Sequence, residues 1–152
     1  MACTESIDKT GWKDGPWMTE PDYKHWVDEQ TDLDCLIVRV EGLGHLCGYV
    51  GVPEGHPWYR VKYDEIPGGD FGCHGGLTRT ELCEGRVCHD VPGRPEPVWW
   101  LGFDHAHAGD HSPGEESILG WVPNGGTYRD VPYVEAGCRA LCAAADAAKQ
   151  TA

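Results

Sequence analysis

Positive charge is scarce in this chain. Lys and Arg number 12 against 25 Asp and Glu, a formal net charge of −13. Phosphate backbones are neutralised by clustered Lys and Arg, and here the basic residues are scattered, so general nucleic-acid binding is excluded. Long apolar runs are missing too. No stretch reaches the length needed to span a membrane. Residues 1–8 carry no basic segment followed by an apolar one, which predicts a chain without a secretory signal. Also missing are a C-x2-C pair, a G-x-S-x-G elbow and any internal repeat.

Some residue types are plentiful. The 152 residues include 21 Gly and 11 Pro, which predicts many loops and tight turns. They include 7 Trp, 8 Cys and 8 His, an aromatic and metal-capable stock that a disordered chain does not carry. Without a signal, the cysteines read as reduced thiols of a cytoplasmic protein, mostly in the core, not as a disulfide framework. The length suits one domain. A polar arm is expected over residues 1–18 and a single folded domain over 19–149.

The fold class expected is α+β, a small and mostly antiparallel sheet with an N-terminal and a C-terminal helix. Thr19 followed by Asp22 suggests a capping box, and Tyr23, Trp26 and Val27 share helical spacing, which predicts a helix over about residues 20–30. The β-branched run 35–40 and the run 45–52, joined by Glu41-Gly42-Leu43-Gly44, predict a hairpin. The small positions Cys47, Gly48 and Gly51 suggest space above the second strand. Residues 97–103 are apolar throughout and read as a central strand. Residues 112–130 read as loop. Val131, Val134, Cys138, Leu141, Ala145 and Ala148 recur at helical spacing behind Asp130, a candidate cap.

Three groups of residues carry possible chemistry. The first is Asp104-His105-Ala106-His107-Ala108-Gly109-Asp110-His111, at the end of the central strand. Its H-x-H-x-x-D-H pattern is one residue longer than the H-x-H-x-D-H of metallo-β-lactamases, and the chain is short for that fold. A generic site for Zn or another divalent metal would use His105, His107, Asp110 and His111. Catalysis there would fall to Asp104, His107 and His74, with a metal-bound water as nucleophile. The second group is Cys73, Cys83, Cys88 and His89, candidate ligands of a structural zinc with wide C-x4-C spacing. The third joins His45, His74, Gly75, Gly76 and Thr78 to Tyr128 and Arg129. Adjacent glycines let backbone N–H groups face an anion, Arg offers a bidentate contact, and loop aromatics can stack on a planar ligand. For every one of these residues the plainer alternative is loop packing.

The segments Gly44-His45-Leu46-Cys47-Gly48-Tyr49-Val50-Gly51-Val52-Pro53 and His74-Gly75-Gly76-Leu77-Thr78 resemble an uncharacterised family of small bacteriophage and prophage proteins. So do Trp99-Trp100-Leu101-Gly102-Phe103-Asp104, Ala106-His107-Ala108-Gly109-Asp110 and Thr127-Tyr128-Arg129-Asp130. The resemblance spans about residues 15–145. It departs at His105, a position usually held by cysteine in that family, so an obligatory thiol nucleophile there is not expected. It implies a protein acting in the cytoplasm of an infected bacterial cell, where small phage proteins counter host defence. The leading expectation is binding of a small polar, nucleotide-like ligand, sequestering a signal. A metal-dependent hydrolase of a phosphoester or nucleotide is the alternative. An acidic inhibitor of a host defence protein is the third, motivated by the net charge.

Overall fold

The computed structural model describes residues 7–66, 71–82 and 98–151. Five strands, β1 (Tyr23–Val27), β2 (Asp34–Arg39), β3 (Leu46–Pro53), β4 (Arg79–Glu81) and β5 (Val98–Asp104), form one antiparallel sheet in the order β1-β2-β3-β5-β4. Two α-helices follow in the chain, α1 (Pro113–Leu119) and α2 (Val131–Thr151). The class is α+β, as expected.

Alternation along the strands sorts the core. Cys35, Ile37, Leu46, Val50, Leu101 and Phe103 face α2, whose Val134, Cys138, Leu141, Cys142 and Ala145 close over them. Leu36, Val38, Tyr49, Val98 and Trp100 form a second cluster on the other sheet face. Each large aliphatic side chain buried this way contributes about 1.5–3 kcal/mol. The five described cysteines are free thiols, and all but Cys47 are buried.

The hairpin β2–β3 forms as the sequence predicts. Gly44 N–H donates to Val40 O (2.9 Å), and Val40 N–H to His45 O (2.9 Å). Of the small residues of β3, Cys47 borders an open cavity, but the two glycines do not leave open space. Gly48 lies opposite Phe103, whose ring is 2.5 Å from where a Cβ would sit, and Val98 and Trp100 fill the position over Gly51. One pair further along, the arrangement reverses, with Tyr49 covering Gly102 from the other face. The two glycines admit two rings, one on each side of the sheet.

The expected N-terminal helix is a strand. Tyr23 packs with the cluster around Trp100, while Trp26 packs on the side of α2, so the two side chains lie on opposite faces. A helix would have set them on one face. β2, buried along its whole length, needs a partner on its outer edge, which Tyr23–Val27 supplies. Thr19 ends the short turn Pro16–Met18 instead of starting a helix. Residues 7–18 pack onto the domain through Ile7 and Trp17, both buried.

Pro113–Leu119 are helical where loop was expected. Pro113 occupies the first turn, Glu115 and Glu116 lie at its positive end, and Gly120 closes it at φ +85°. Gly114 N–H donates to Leu43 O (2.8 Å), which docks α1 on the hairpin turn.

Candidate functional site

The site grows from the end of β5. Beyond Asp104 the chain leaves the sheet, and His105 is held 1% exposed. Its Nδ1–H donates to Leu46 O (2.7 Å), since a carbonyl can only accept. Nε2 is then an acceptor, buried and without a hydrogen-bond partner. Burial pushes this imidazole down to about 4, so it is neutral at physiological pH.

His74 stacks on His105, ring centroids 5.1 Å apart and planes within 11°. The Gly75-Gly76 turn brings His74 there. Both glycines have positive φ (+72° and +76°), and a Cβ at Gly75 would collide with the His107 ring. Gly76 N–H donates to Cys73 O (3.1 Å), so that amide closes the turn.

Asp110 anchors the cluster, its side chain 1% exposed. Oδ2 accepts from His74 Nε2 (2.8 Å) and from the His107 amide (3.0 Å), and Oδ1 accepts from Arg129 Nε (2.9 Å). Burial alone would raise this carboxyl, but the bonds from Arg129, the His107 amide and His74 outweigh it and hold it below the usual carboxylate range. Asp110 is therefore ionised, and His74 Nε2 must carry a hydrogen. Nδ1 faces the Tyr133 hydroxyl at 2.8 Å. In the neutral imidazole, Nδ1 accepts and Tyr133 donates.

Two local features position Arg129 and Tyr133. Thr127 N–H donates to Gly109 O (2.8 Å) and His111 N–H to Thr127 O (2.9 Å), which zips the 125–129 loop to the turn bearing Asp110. Asp130 caps α2 as the sequence predicts, accepting from Tyr133 N–H (3.0 Å). The Arg129 guanidinium lies 5.0 Å from the Tyr133 ring centroid.

Asp104 joins this cluster to a cavity. Its Oδ1 is 3.1 Å from His107 Nε2, while the same residue lines a cavity of about 220 Å³ with Cys47, Tyr49, Thr78, Arg79 and Gly102. Burial pushes the Cys47 thiol up to about 12, so it lines the space as a neutral group. His45 is buried nearby in sequence, its Nδ1 unpartnered and its pKa lowered by burial.

Of the residues singled out in the sequence, His74, Asp110 and Arg129 meet directly, with His105 and His107 against them. Thr78 and Asp104 share the cavity. Tyr128 is placed elsewhere, its hydroxyl bonded to Arg39 (2.9 Å) and Glu20 (2.6 Å) and its ring edge-on to Trp17, so it stacks on protein. His111 pairs with Glu116 (3.0 Å) and meets the edge of Trp17. Cys73 is buried under α2. Cys83, Cys88 and His89 lie outside the described residues. Among the described residues, no three of His, Cys, Asp and Glu are grouped to hold a metal ion. Sequence reasoning passed over Tyr133 and Arg79. Tyr133 reads as one more ring near a helix start, and only the folding of residue 74 onto it reveals a partner. No protein-family model, curated protein or solved structure matches this chain in comparison with known proteins.

Proposed function

We propose that this chain binds a small phosphate-bearing molecule of the nucleotide class in the cavity between β3, β4 and the end of β5. The observation that carries the reading is the convergence there of Thr78, Arg79 and Asp104 around a space of about 220 Å³. Whole-ligand pockets usually enclose about 300–1,000 Å³. The cavity therefore takes one end of a nucleotide, with the remainder outside. Arg79, its side chain 56% exposed beside Glu81, supplies the local positive charge that the net acidity of the chain denies elsewhere. The resemblance to phage proteins supports a setting in an infected cell, where the binder would sequester a nucleotide signal.

Isothermal titration calorimetry against nucleoside mono- and diphosphates and cyclic dinucleotides tests it. Micromolar or tighter binding is expected for at least one class, weakened about tenfold or more by Arg79→Ala, as loss of a charge-assisted hydrogen bond requires. A folded protein that gives no heat with any of them rejects the reading.

A further inference from the structure

A second chemistry lies outside the cavity, at Tyr133, His74 and Asp110. The order of groups is that of a nucleophile, a base and a carboxylate that orients the base. Asp110 is fixed on one side by Arg129 and the His107 amide, and it fixes the hydrogen of His74 on Nε2. That leaves Nδ1 as the acceptor aimed at the Tyr133 hydroxyl, 2.8 Å away. Neutral His105 stacks beneath His74 and bonds to Leu46 O, so it contributes a packed floor and no competing charge. Tyr133 itself is 41% exposed, so an incoming molecule reaches its oxygen.

Two further features place positive charge and a helix N-terminus beside Tyr133. Arg129 lies over the ring, and it meets Asp110 through Nε alone, which leaves its Nη groups outside that pair. Tyr133 also sits in the first turn of α2, a helix of 21 residues whose positive end faces this side. A tyrosine placed here only for packing would need neither a base on its hydroxyl nor a guanidinium over its face.

We propose that Tyr133 is a nucleophilic tyrosine, activated by His74, that attacks the phosphorus of a small phosphoester. In that step the bond from Tyr133 Oη to phosphorus forms as the bond from phosphorus to the leaving oxygen breaks. The phenolic proton passes to His74 Nδ1, and the leaving oxygen, on the far side of phosphorus, takes its proton from solvent. Phosphorylated Tyr133 and an alcohol result. Water from solvent then attacks phosphorus from the opposite side and gives its proton to solvent, while His74 returns the held proton to Tyr133 Oη as that bond breaks, which releases phosphate and free tyrosine. Arg129, through its Nη groups, is the candidate holder of the phosphoryl oxygens. The proposal does not depend on the cavity, which Tyr133 does not line.

The chain carries its own control. Tyr63, 44% exposed against 41% for Tyr133, lies in a short turn whose Tyr63 N–H bonds to Thr80, with no histidine on its hydroxyl among the described residues. An alkyl fluorophosphonate, whose phosphorus loses fluoride to an attacking oxygen, is the probe, with adducts mapped by peptide mass spectrometry. Tyr133 is expected to react about a hundredfold faster than Tyr63, the lower end of what a positioned base supplies. His74→Gln should bring Tyr133 down to the rate of Tyr63, with circular dichroism showing the fold retained. Equal rates in the natural protein, or a Tyr133 rate unchanged in folded His74→Gln, overturn the proposal. Should His74→Gln fail to fold, the ratio of the two tyrosines in the natural protein decides alone.

Discussion

Two polar networks in this protein are assembled from nearly the same side chains. One joins Arg39, Asp22, Glu20 and Tyr128, and the other joins Arg129, Asp110, His74 and Tyr133. In the first, Arg39 is fully buried and gives Nε to Asp22 (2.7 Å) and Nη1 to Gly44 O and Tyr128 (both 2.9 Å). Tyr128 donates to Glu20 (2.6 Å), and the other oxygen of Glu20 accepts the Val131 amide that opens α2 (2.8 Å). Burial, with that bond to Glu20, pushes the Tyr128 phenol well above its ordinary value. Its proton is held. In the second network an imidazole replaces the second carboxylate, and the tyrosine is open to solvent. The kit that staples the N-terminal segment, β2 and α2 together recurs, with one histidine and an open side, around a tyrosine whose hydroxyl faces an imidazole instead of a carboxylate.

That contrast can be broken most severely at Arg39. Arg39→Met would leave Asp22 and Glu20 facing a buried apolar side chain, and a cost of about 3–5 kcal/mol is expected, read by urea denaturation. An unfolding midpoint close to that of the natural protein would mean the network is not a staple.

Acidification sharpens the comparison from the side of the histidines. His45, His56 and His105 are all lowered by burial, His105 to about 4. His56 shows why: Nε2–H donates to Ala145 O (2.8 Å) and Nδ1 accepts from Trp58 N–H (2.9 Å), so a second proton must break a bond. Histidine in the unfolded chain titrates near 6.5. Between that value and 4 the unfolded state binds more protons, so stability is full above 6.5 and falls as the pH drops toward 4. The share of His105 is about 3 kcal/mol. His105→Gln, which keeps a donor for Leu46 O, should flatten that slope, measured as unfolding free energy at stepped pH. A slope unchanged in the variant would mean His105 is not the group responsible.

The smallest effects compare the two tyrosines themselves. Tyr128→Phe should cost about 1–3 kcal/mol, because Glu20 and Arg39 lose a buried partner. Tyr133→Phe should change stability by less than about 0.5 kcal/mol, as an exposed hydroxyl allows. Similar costs for both would place the second network among the structural ones.

The regular strands and the last helix were legible because pattern and burial agree there. Residues 97–103 read as a central strand, and β5 spans Val98–Asp104; the spacing from Val131 to Ala145 found α2 together with its Asp130 cap. Residues 23–27 misled, since Tyr23, Trp26 and Val27 fit a helical spacing as readily as Tyr23, His25 and Val27 fit a strand. What decided it was β2, a partner no local window contains. The α1 signals, Pro113 and Gly120, were present but lay among so many prolines and glycines that they read as loop. In the site, Asp104 to His111 announced itself as a cluster. How its members pair depended on the 71–76 and 125–133 segments arriving beside it, and that is set by tertiary packing.

The strand order has a consequence for how the protein is made. The three strands β1, β2 and β3 leave the ribosome first, and the neighbour of β3 is β5, separated from it by some forty residues of sequence. Until β5 emerges, β3 offers a row of unpaired amides and carbonyls, and Leu46, Val50 and Val52 wait for a helix that is synthesised after every strand of the sheet. Chains stalled before residue 131 are therefore expected to be captured by chaperones or to aggregate, and the arrival of α2 decides whether a nascent sheet becomes a native one.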